Sequence, residues 1–117
     1  MKLKIIILFL FLQPWMVGAI DISEIRELSR GYVKGEEKIL AYTLISDPCV
    51  TVVFKGKKKR YCKLNDVHDL EDMSDFLSVH ELNSYVKSVT FTASTSRYDL
   101  YCKINAKKES LSCKIKN

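Results

Sequence analysis

The apolar and polar positions divide the chain into short runs rich in strand formers and two stretches of helical spacing. Lys38–Ile45 (KILAYTLI), Cys49–Phe54 (CVTVVF), Lys57–Leu64 (KKKRYCKL), Val86–Thr92 (VKSVTFT), Tyr98–Ile104 (YDLYCKI) and Ser110–Lys116 (SLSCKIK) are strand-like runs. Turn formers separate them: Asp47-Pro48, Lys55-Gly56, and the Ala106-Lys107-Lys108-Glu109 segment. Two other stretches show helical spacing. Ile22, Ile25 and Leu28 recur every third residue among Ser, Glu and Arg, which predicts a short amphipathic helix over 21–30, ended by Gly31 and Gly35. Leu70, Met73, Phe76 and Leu77 follow an acidic start (Asp66, Asp69, Glu71, Asp72, Asp75) and predict a helix or helical turns within 65–84. The chain therefore reads as mainly β with one or two short helices, with α+β as the alternative.

The Lys55-Gly56 turn allows the first hairpin to be counted. A two-residue turn there sets Phe54 against Lys57 and Val53 against Lys58, and stepping outward brings Cys49 opposite Cys62. The residues flanking the turn form a hydrogen-bonded pair, so alternation makes Cys49 and Cys62 a non-hydrogen-bonded pair, where side chains lie closest. Cys102 can face Cys113 across the last hairpin in the same way. Four cysteines allow three connectivities, and the hairpins favour these two bridges.

Lys2 and Lys4, the apolar run Ile5–Leu12, and Val17-Gly18-Ala19 have the layout of an export signal cleaved after Ala19. The apolar run is too short for a permanent membrane span. Removing residues 1–19 leaves 98 residues (20–117), and, because Lys2 and Lys4 go with them, lowers the formal charge from +5 to +3. The expected product is a single secreted domain with no transmembrane segment, small enough to need staples, and oxidised cysteines supply them.

The two halves, about 21–65 and 66–117, can be laid over each other. Asp21-Ile22-Ser23-Glu24-Ile25 matches Asp66-Val67-His68-Asp69-Leu70, and Glu27–Lys34 matches Glu81–Lys87 with one deletion. Cys49 then matches Cys102, and Cys62-Lys63-Leu64 matches Cys113-Lys114-Ile115. The unit DVHDL, followed by NSYVKSV (Asn83–Val89), and the Phe54-Lys55-Gly56 of the first hairpin resemble the Greek-key motif of the βγ-crystallin superfamily. The resemblance implies a β-sandwich of two Greek-key-like repeats. It also implies a calcium site in members whose Asn-Asp-x-x-Ser-Ser stretch supplies oxygens. Here Ser84 stands for the Asp and Lys87 for the first Ser, so calcium is not carried over, and Asn83 and Ser88 are the residues to test.

Other chemistry is sparse. His68 and His80 have no sequence partner that would make either a catalytic base. No His-x3-His or paired Cys-x2-Cys spacing suggests a metal, and no cofactor motif is present. The expected role is thus non-enzymatic binding or structure. The sharpest feature is the run Lys55, Lys57, Lys58, Lys59 and Arg60 at one hairpin tip, with Lys107 and Lys108 at the other. Such a tip could hold an anionic glycan, an anionic lipid or a cell-surface protein, or merely guard an edge from pairing. Nucleic acid is not expected for an exported chain. Residues 39–65 also resemble a chemokine core, which implies, as an alternative, a secreted signalling or effector protein acting on a cell-surface receptor. No cysteine precedes Cys49 to make that family's N-terminal bridges.

Overall fold

The computed structural model describes residues 22–72 and 76–116. The export signal, Asp21, Met73 and Asp75 lie outside the described residues. Among the described residues, a 3-10 turn at Ile22–Glu24 is followed by eight strands: β1 (Ile25–Val33), β2 (Glu36–Leu44), β3 (Asp47–Phe54), β4 (Lys57–Tyr61), β5 (Phe76–Ser84), β6 (Ser88–Thr95), β7 (Asp99–Asn105) and β8 (Ser110–Lys116). They form two antiparallel sheets, ordered β1-β2-β3-β4 and β5-β6-β7-β8.

The chain is mainly β and the two sheets pack as a sandwich, with β5 lying against β1, β2 and β3. Each sheet runs in sequence order. This is a meander, whereas a Greek key would bring its fourth strand back beside the first.

The predicted hairpin registers are the observed ones. Phe54 pairs with Lys57, Val53 with Lys58 and Val50 with Tyr61, which carries Cys49 to Cys62. Both bridges form, Cys49–Cys62 with Cα atoms 4.8 Å apart and Cys102–Cys113 at 4.1 Å. These separations are those of non-hydrogen-bonded antiparallel pairs.

Both predicted helices are instead strands, and each is the first strand of its sheet. Over the described part of that first stretch, 22–30, the three-residue 3-10 turn is the only helical piece, and β1 pairs with β2 through Leu28–Tyr42 and Arg30–Leu40. Gly35 does not stop a helix. Lys34 and Gly35 both have positive φ (52° and 80°) and close the β1–β2 hairpin as a type I′ turn, as Lys55 and Gly56 do for β3–β4. In the 65–84 stretch, Asn65 Oδ1 accepts from the Val67 and His68 amides (2.9 and 2.7 Å), and Asp69 Oδ1 accepts from Glu71 (3.0 Å). These side-chain bonds offer the backbone turns in place of a helix. Leu70 is then buried while Leu77 is exposed, so the two do not share one buried helical face.

Strand parity divides each sheet into two faces. On the first sheet Ile39, Ala41, Val50, Val52 and Tyr61 share the face that joins the common core. On the second, Val89, Phe91, Ala93, Leu100, Cys102 and Ile104 do so. The two bridges therefore differ in position. Cys102–Cys113 lies on the inner face, opposite Phe91, whereas Cys49–Cys62 is one step out of phase with Val50–Tyr61 and lies on the other face. There the connector covers it, the Leu70 amide donating to the Cys62 carbonyl at 2.8 Å.

Candidate functional site

Alternation along β4 splits the basic run. Lys57, Lys59 and Tyr61 share the inner face with Val52 and Phe54, while Lys58 and Arg60 point the other way. The β7–β8 turn reaches the same end of the sandwich. A cleft of about 320 Å³ opens between them, floored by Val52, Phe54, Tyr61 and Ala106 and rimmed by Lys55, Lys57, Lys59, Lys107 and Glu109. The structure thus joins Lys55, Lys57 and Lys59 to Lys107 of the second tip. Lys58 and Arg60 do not line the cleft.

Glu109 is the one acid in the cleft lining, and the lysines of β4 converge on it. Lys57 Nζ lies 2.8 Å from its Oε1, and Lys59 Nζ lies 4.0 Å from its Oε2 and 3.4 Å from its backbone oxygen. The hydrogen bond from Lys57 holds the Glu109 carboxyl below the usual carboxylate range. The aromatic floor adds a second attraction: Lys59 Nζ lies 5.2 Å from the Tyr61 ring centre and Lys55 Nζ 5.5 Å from that of Phe54. Burial, and then the Glu109 charge, push the Tyr61 hydroxyl above its ordinary value. Glu109 has φ of +53°, an unusual conformation for a residue with a side chain, set by the turn that aims it at β4. The sequence gives its place in the turn, but its partners lie on another sheet.

Arg60 does structural work on the opposite face. Its Nε and Nη2 hold Asp47 at 2.8 and 2.7 Å, and Nη2 reaches Glu71 at 3.0 Å, tying β3, β4 and the connector together. The Arg60 bond keeps the Asp47 carboxyl below its usual range, against the opposing effect of burial. A depressed carboxyl contributes stability that is complete above the unfolded value, near ~3.9, and is lost as pH falls through the folded one. Asp47→Asn is accordingly expected to cost about 1 kcal/mol in urea unfolding at pH 7. The difference from wild type should vanish near pH ~2, where both forms lack the charge. An equal difference at both pH values would contradict the pairing.

The histidines act as struts. His68 is half-buried, its Nδ1 meeting Asn65 Oδ1 at 3.0 Å and its Nε2 the Tyr98 hydroxyl at 2.7 Å, so it links the connector to the start of β7. His80 Nε2 meets Ser94 Oγ at 2.5 Å, and its Nδ1 lies 3.5 Å from Glu81 Oε1. Serine, imidazole and carboxylate in that order are the parts of an acyl-transfer relay. Here the same Glu81 oxygen accepts from Lys116 Nζ (3.0 Å) and Thr92 Oγ1 (2.9 Å), which hold its carboxyl below the usual range. A carboxylate so engaged, and outside hydrogen-bond distance of the imidazole, is a poor orienting group. The cluster instead joins β5, β6 and β8.

Among the described residues, the one group of metal-ligating side chains close together is Cys49, Cys62 and Glu71, with ligand atoms within 4.8 Å of one another. Both sulfurs are committed to a disulfide and have no thiolate to give. Asn83 and Ser88 lie on β5 and β6, and Asn83 Nδ2 donates to the Glu81 carbonyl at 3.2 Å. No helix of the described residues is long and apolar enough to cross a membrane.

No family model matches the chain, and neither a curated protein nor a solved structure resembles it closely enough to register as a relative.

Proposed function

We propose that this chain is an exported, non-enzymatic binding protein that takes an anionic ligand between its two hairpin tips. The observation that carries this reading is the cleft itself. Lysines from separate sheets, Lys55, Lys57 and Lys59 on one side and Lys107 on the other, rim a single opening that holds one carboxylate. Cations gathered around a low-dielectric floor raise the local concentration of anions and speed their capture. Two disulfides and the signal-like N-terminus favour an oxidising, extracellular setting. The chemokine-like alternative draws no support from the sheets, since its core needs a helix laid over the strands.

The test is retention on immobilised heparin, used as a generic polyanion. Neutralising Lys57, Lys59 and Lys107 together to Gln is expected to move elution to markedly lower salt. Neutralising Lys58, Lys63 and Lys108, which removes the same charge outside the cleft, should have a much smaller effect. Equal loss from both triples would mean that net charge alone drives retention and would refute the site.

A further inference from the structure

We infer that Glu109 is a built-in stand-in for the ligand, and that the ligand is a sulfated oligosaccharide whose sulfate replaces the Glu109 carboxylate between Lys57 and Lys59. This deepens the preceding reading and rests on it. Glu109 presents one oxygen to each lysine, at 2.8 and 4.0 Å, which is how an external oxyanion would be held. The contact is easily given up. Glu109 and Lys57 are both partly exposed, and exposed ion pairs of this kind contribute little. The turn also keeps Glu109 at positive φ, a conformation that favours glycine, so a carboxylate stands at the mouth where the backbone alone would be better served by no side chain.

Two features choose the ligand class. The cations form more than one position: Lys57 and Lys59 converge on a single oxyanion, at present the Glu109 carboxylate, while Lys55 and Lys107 rim the same cleft without contacting it. A single-headed amphiphile such as a fatty acid would use one position and leave the others idle, whereas a chain of regularly spaced anions engages them in turn. The floor is also suited to sugar. Phe54 is half-buried and leaves apolar surface at the cleft on which the apolar face of a pyranose can rest, beside the buried Val52 and Tyr61.

The experiment measures the affinity of the full mature chain for a heparin-derived octasaccharide by titration calorimetry. Glu109→Gln is expected to bind about fivefold more tightly than wild type. Glu24→Gln, which removes an exposed acid far from the cleft, should leave the affinity unchanged. The octasaccharide stripped of its sulfates should bind at least tenfold more weakly. Vesicles containing phosphatidylserine supply the competing surface. The inference is overturned if Glu109→Gln and Glu24→Gln behave alike, if desulfation has no effect, or if the vesicles bind more tightly than the octasaccharide. Loss of binding in the Lys57, Lys59, Lys107 triple with no gain in Glu109→Gln would sink the stand-in role and leave the anion-binding reading intact. Glu109→Gly, which suits the turn better, gives the same gain if the charge is what matters, and rules out misfolding as the cause.

Discussion

Gly31→Ala is expected to lower stability by about 1–3 kcal/mol, the cost of overpacking a site that has no room. A Cβ on Gly31 would run into the Tyr85 carbonyl oxygen and lie 2.6 Å from Ile39 Cγ2, both far inside contact distance. The first of these atoms is backbone, so relief requires β1 to move away from the chain leaving β5, at the place where the two sheets meet. The link there is already close: the Leu82 amide donates to Glu27 Oε1 across it at 3.3 Å. In a domain of this size each kcal/mol lowers Tm by about 4–8 °C. Gly35→Ala is the control. It has open space around its Cβ and should cost only the backbone strain of its positive φ, roughly 1 kcal/mol. Urea midpoints that are equal for Gly31→Ala and wild type would contradict the packing of β1 against β5.

Removing the disulfides should be costlier still. The bridges span 13 and 11 residues, and loops of this size are worth about 3 kcal/mol each in the chain-entropy model. The two are not expected to be equal. Cys102 is fully buried on the inner face opposite Phe91, so Cys102→Ala with Cys113→Ala also opens a gap in the shared core. Cys49→Ala with Cys62→Ala opens its gap on the other face, where Cys49 is equally buried but lies under the connector, which can settle into the space more readily than a packed strand pair. Removing all four sulfurs forfeits about 6 kcal/mol or more, comparable to the whole stability of a typical small domain, and should leave the chain largely unfolded at 37 °C. Urea titration of the two double variants checks the order. A smaller loss for the inner pair would contradict the face assignment.

The hairpins were legible because their signals are local. A Lys-Gly dipeptide fixes the register of β3 and β4, and from it the cysteine pairing follows by counting. The same dipeptide at Lys34-Gly35 marks the β1–β2 turn, and treating it as a helix stop hid β1. Three apolar residues at a spacing of three are too few to decide between a helix and a strand, and what decides for β1 is its pairing with β2 and its contact with β5, both remote in sequence. For β5, the Asx turns at Asn65 and Asp69 consume the acidic start that looked like a helix N-terminus. The blocks matched in the sequence, Glu27–Lys34 and Glu81–Lys87, both lie in or just after the first strand of a sheet. The basic run was visible as composition. Its division by strand parity, with Lys57 and Lys59 facing the cleft and Arg60 spent on Asp47 and Glu71, depends on which face of β4 turns inward, and the partner that shows this is Glu109 on the other sheet.

The central claim is that the opening between the hairpin tips is the binding site, and backbone amide NMR shifts on addition of a heparin-derived octasaccharide test it most directly. The account predicts that the largest shifts fall on Phe54, Lys57, Lys59, Tyr61, Lys107 and Glu109. Shifts centred instead on the opposite faces, at Lys58, Arg60, Lys103 and Lys114, would contradict it.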